Sequence, residues 1–168
     1  MICGQMIVMV YMLRLWNCQL CGNEYPYKEG KLKLCRKCAT EKMVKEARVV
    51  RHAIYWAKGD HPATLTLKQW IGCLDYFEWM CAYCQQRPYE VLEHFIPMIL
   101  EERAKPLCKL IGGTSIYNCI PACHWCNTRK HRVSPEYIWK ISDGVEQGMF
   151  PSLAMLERVA FYLQIDLS

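Results

Sequence analysis

No stretch of this chain stays apolar for the ~20 residues that a membrane-spanning helix needs. The most apolar segment, MICGQMIVMVYMLRLW from Met1 to Trp16, is shorter than that. It also lacks the basic start of an export signal, because the first basic residue, Arg14, follows the apolar run instead of preceding it. Membrane insertion and passage to an oxidising compartment are therefore not expected, and the cytoplasm is the expected location. Low-complexity tracts are missing, as are repeats other than two cysteine units. Charge is modest: the formal net value is +5 with a pI of 8.6, which leans toward polyanionic partners without defining one. With 168 residues and 52% hydrophobic content, one domain, or one domain with a small module, can bury an ample core. Met1 to Trp16 reads as a buried strand, and its four methionines leave Met9 or Met12 as alternative starts.

What is abundant is cysteine, twelve in all. Eight form four Cys-x-x-Cys pairs: Cys18/Cys21, Cys35/Cys38, Cys81/Cys84 and Cys123/Cys126. Cys3, Cys73, Cys108 and Cys119 show no pairing pattern. A disulfide framework would require export, so reduced cysteines holding two structural Zn2+ ions are expected. The first set, Cys18, Cys21, Cys35 and Cys38, reads as a small zinc ribbon or knuckle. Pro26 and Gly30 suit a hairpin turn between its pairs. So short a segment has almost no core, and the metal supplies its folding energy. Two roles stand open for it, structural staple and DNA-contacting module.

From Ala39 to about Lys58 a helix is expected, because Met43, Ala47, Val50, Ile54 and Ala57 fall on one apolar stripe. Lys42, Lys45, Arg48, Arg51 and His52 lie largely off that stripe and suit phosphate contact, a solvated face being the plainer alternative. Tyr55 and Trp56 are read as core. After the break at Gly59-Asp60-His61-Pro62, Thr66 and Gln69 read as a capping box opening a helix that reaches Trp79. Strands are expected at Tyr89 to Leu92 and Asn118 to Pro121. A helical insert around Glu101 to Leu110 and a helix from His124 to about Arg132 complete the central region. Ser134-Pro135 opens another helix, and Ser152 to Leu163 carries a further amphipathic stripe.

The central stretch holds more than a zinc site requires. Between and beside the second set of cysteines, Cys81, Cys84, Cys123 and Cys126, lie Glu93-His94, Gly112-Gly113, Asn118 and Asn127. In that order the stretch resembles the HNH endonuclease family, in the zinc-clamped subset of phage and mobile-element type; the resemblance covers roughly the middle third of the chain. It implies an α+β protein of small zinc-stabilised domains, with a ββα-metal, treble-clef-like nuclease core and flanking helices. The expected plan is 1–38, a segment with the four-cysteine ribbon; 39–80, basic linking helices; 81–133, the nuclease core; and 134–168, C-terminal helices.

The same resemblance implies metal-dependent hydrolysis of DNA phosphodiester bonds in a bacterial or phage-infected cell, with no obligate protein partner. His94 would be the general base, since an imidazole of ordinary pKa about 6.5 can take a proton from water near neutrality. Glu93 and Asn127 would hold one Mg2+ or Mn2+, and Asn118 would brace the loop that orients His94. His131, four residues after Asn127, is either a further ligand or a surface residue. Arg129, Lys130 and Arg132, with Lys45 and Arg48, would grip DNA. Glu93 departs from the aspartate usual before the catalytic histidine, and its extra methylene shifts the carboxylate. Successive strand residues also face opposite ways, so Glu93 and His94 can serve one site only if the strand is distorted between them. Rival readings are a non-catalytic zinc protein that binds nucleic acid as a regulator, and a nuclease acting on RNA.

Overall fold

The computed structural model describes residues 15–26, 33–57, 62–97, 113–130 and 153–164. The expected buried strand at Met1 to Trp16 falls mostly outside them, as do the helical insert and the helix after Ser134. Within the described residues, helices combine with two small antiparallel sheets, an α+β arrangement.

Strands β1 (Leu15–Asn17) and β2 (Glu24–Pro26) pair antiparallel, with Leu15 opposite Pro26 and Asn17 opposite Glu24. The hairpin loop between them carries Cys18 and Cys21. Pro26 ends β2, where its missing N–H costs nothing on an edge, and the expected hairpin turn toward Gly30 lies outside the described residues. Gly22 closes the loop at φ +77°, donating to the Cys18 carbonyl at 2.9 Å.

Helix α1 (Glu41–Trp56) is capped by Thr40, whose hydroxyl accepts from the Met43 amide. Its buried face holds Ala47 and Val50, and also Glu46. The Glu46 carboxylate is tolerated because the Trp70 indole donates to it at 2.9 Å. Tyr55 and Trp56 are not core: they are 56% and 66% exposed. They fall between the buried positions of the stripe, in the last turn of α1.

The capping box forms as read: Thr66 and Gln69 exchange hydrogen bonds at the start of α2 (Leu67–Tyr76). The helix stops three residues before Trp79, where Glu78 and Trp79 adopt left-handed φ of 56° and 60° and swing the chain toward Cys81. Strands β3 (Val91–His94) and β4 (Cys119–Ala122) pair antiparallel, one to two residues later than expected, and α3 (His124–Lys130) follows directly. The core gathers Trp70, Leu74 and Phe77 of the α2 region with Phe95, Ile120 and the cysteines around Cys81 and Cys123. Helix α4 (Leu153–Leu163) buries Val159, Ala160 and Leu163 there and sets the Tyr162 ring tilted against Tyr76 and edge-on to Phe77.

Candidate functional site

Each four-cysteine group brings its sulfurs together, all within 4.8 Å of one another. A tetrahedral zinc site with Zn–S of about 2.3 Å places sulfurs about 3.8 Å apart, so both groups suit structural zinc. In the second group the chain reaches this geometry through tight turns. The Ala82 amide donates to the Pro121 carbonyl at 2.8 Å, tying the first knuckle to β4, and the Cys126 amide points at the Cys123 sulfur. Glu90 accepts from the His124 amide at 2.8 Å, anchoring the start of α3 against the residue that leads into β3.

The pairing of β3 with β4 is regular through its end: Glu93 faces Ile120 and His94 faces Cys119. No distortion brings the two adjacent side chains to one face. Glu93 points into the protein, where the Lys130 ammonium donates to its carboxylate at 2.5 Å and to the His94 carbonyl at 2.9 Å. Lys130 is fully buried, so it does not grip phosphate as expected; its aliphatic stem and charge are enclosed by α3, Glu93 and the Phe95 ring. Burial lowers the Lys130 pKa, and the Glu93 charge opposes that shift.

His94 points the other way. Its Nε2 lies 3.0 Å from the Thr114 hydroxyl, which in turn reaches the Ala53 carbonyl of α1 at 3.4 Å. Burial, and then the Lys130 charge, depress the imidazole pKa from 6.5 to about 4, so the ring is neutral at physiological pH. Asn118 is wholly buried in the loop bracing this end of the strand. Its Oδ1 accepts from the Ile96 amide at 2.7 Å, and its Nδ2 donates to the Ile96 and Gly113 carbonyls at 3.1 and 3.0 Å. Gly113 has φ +71°, and a Cβ there would stand 2.3 Å from the Pro62 carbonyl oxygen, so the turn admits only glycine.

Asn127 lies on α3 one turn before Lys130. His131 and Arg132 lie outside the described residues. Arg129 is exposed, with its guanidinium 4.4 Å from the Trp125 ring; Lys45 and Arg48 are exposed on α1. Sequence reasoning missed Thr114 as the partner of His94, and Lys130 as the partner of Glu93. It also missed a groove of about 950 Å³ between α1 and the edge of β3. Arg48, Arg51, His52, Tyr55 and Trp56 form one wall, and Leu92 and His94 lie on the other. Arg48, Arg51 and His52, expected from their spacing to lie off the apolar stripe and suit phosphate, are the basic part of that wall.

Comparison with known proteins gives a partial likeness. A protein of Bacillus subtilis (strain 168), named "SPbeta prophage-derived putative HNH endonuclease YoqL", is 37% identical over 71 residues, which is 40% of this chain. The match spans 30% of that relative's length. No family model matches the chain, and no solved structure matches it. The likeness and the two cysteine groups suggest an HNH-type zinc protein. Among the described residues, no helix is long and apolar enough to cross a membrane.

Proposed function

We propose that the chain is an HNH-type endonuclease hydrolysing DNA phosphodiester bonds, with residues 81–133 as its ββα core and His94 as general base. The observation that carries this reading is the placement of a neutral His94 on the wall of a groove whose opposite wall is basic. The partial likeness to a protein named as an HNH endonuclease supports it. With the Thr114 hydroxyl donating to the Ala53 carbonyl, that hydroxyl accepts from Nε2–H and leaves Nδ1 as the nitrogen that takes a proton from water. Asn118 holds the turn after His94, and Arg48 and Arg51 meet the phosphate charge.

The expected Mg2+ or Mn2+ does not fit its expected ligands as they stand. Glu93 is already neutralised by Lys130, and it faces away from His94. No step is therefore routed through a cation at Glu93 and Asn127. This pair also favours the second reading, a zinc protein that binds nucleic acid without cutting it. Plasmid nicking, with and without added Mg2+ or Mn2+, decides between them. Cutting by wild type that His94→Ala abolishes is the expected outcome. Intact plasmid throughout, with binding retained, supports the binding module.

A further inference from the structure

Resting on the nuclease reading, the groove between α1 and β3 can be given a more specific occupant. We propose that it binds a nucleic-acid strand in single-stranded form, with an unpaired base stacked on Trp56 and the adjoining backbone held by Arg48 and Arg51.

The wall supplied by α1 combines the two features that single-strand sites need, cations for the backbone and an aromatic face for a base. Arg48, Arg51 and His52 are all exposed and line the groove with Trp56. From Arg48 to Trp56 is about 12 Å along the helix axis at 1.5 Å per residue. Trp56 is 66% exposed, yet its ring is held in place: the indole N–H donates to His52 Nε2 at 2.7 Å. The His52 and Tyr55 rings meet it at interplanar angles of 66° and 87°, edge contacts rather than stacks. An indole oriented this way needs little ordering when a base arrives, which lowers the entropic cost of stacking.

Paired bases in a duplex offer their edges, not their faces, so an indole can stack only where a base is unpaired. Among the described residues Glu90 is the one carboxylate lining the groove, and one of its oxygens accepts from the His124 amide at the start of α3. His94 shares the groove, so a strand lying along α1 passes the imidazole.

Fluorescence anisotropy tests this with a labelled oligothymidine and a duplex of mixed sequence, using full-length His94→Ala protein so that neither probe is cut. Single strand is expected to bind more tightly than duplex. Adding Trp56→Ala should weaken single-strand binding by about fivefold or more and leave duplex binding within about twofold. Trp56→Phe, which keeps a stacking face and loses the His52 bond, should restore most of the loss. Arg51→Ala should weaken both probes and lower the salt slope by about one unit. Unchanged single-strand affinity in Trp56→Ala, or equal losses on both probes, would overturn the proposal. Zinc content and circular dichroism confirm that each variant is folded. The nuclease reading is judged separately: nicking by wild type together with an indifferent Trp56 sinks only the groove assignment. Selective loss in Trp56→Ala from a protein that never cuts sinks only the nuclease.

Discussion

The two four-cysteine groups use the same ligands in opposite surroundings. Cys81, Cys84, Cys123 and Cys126 are all buried and belong to the main core, beside Ile120 and Phe77. In the first group Cys21 is exposed and Cys38 half-buried, and the strands around it are three residues long. A metal in the first group would supply the cohesion that the segment cannot draw from apolar burial. In the second it would pin a core that already has Trp70, Phe95 and a sealed polar frame. The same tetrathiolate chemistry would therefore be the fold in one place and its fastener in the other.

The largest effect should come from removing one ligand at each group. Cys123→Ser removes a buried ligand and places an unmatched hydroxyl in the main core, and should lower the main thermal transition steeply. Cys21→Ser should release one zinc by elemental analysis while the main transition persists; if both variants unfold the chain alike, the contrast fails. Next, Lys130→Met strands the buried Glu93 carboxylate and should cost about 3–5 kcal/mol in urea unfolding. Combining it with Glu93→Gln should recover most of that loss, because the charge to be matched is gone. Asn118→Ala removes three hydrogen bonds from wholly buried groups and should cost about 3 kcal/mol, leaving both zincs in place.

The smallest effect is the pH dependence of His94. Its folded pKa lies below the unfolded value, so the unfolded chain binds the proton first as pH falls. The stabilisation is complete above pH 6.5 and is lost as pH drops toward about 4. Down to pH 5 the loss is about 2 kcal/mol. An NMR titration of the His94 ring with a midpoint near 4 is expected; a midpoint near 6.5 would mean the ring is open to water.

What the sequence made readable was local. The capping box of Thr66 and Gln69 and the stripe of α1 depend on neighbours three and four residues apart. Cys-x-x-Cys pairs announce themselves by spacing. Lys130 misled because it sits in a basic run, Arg129 to Arg132, whose plain reading is a surface. Its burial depends on Glu93, thirty-seven residues away, and no periodicity records such a partner. Thr114 is hidden for the same reason, linked to His94 and to Ala53 only through the fold. Tyr55 and Trp56 were misplaced by hydrophobicity alone, although their position between Ile54 and Ala57 puts them off the stripe. The alternation of β3 was foreseeable, and regular pairing separates Glu93 from His94 where a shared site had required a distortion.

Asn118 has one more consequence. By gripping both Ile96 and Gly113 it closes the neck of the connection between the two strands, much as a buckle closes a strap. One carboxamide therefore fixes where the chain leaves β3 and where it returns toward β4, and with that the approach of Thr114 to His94.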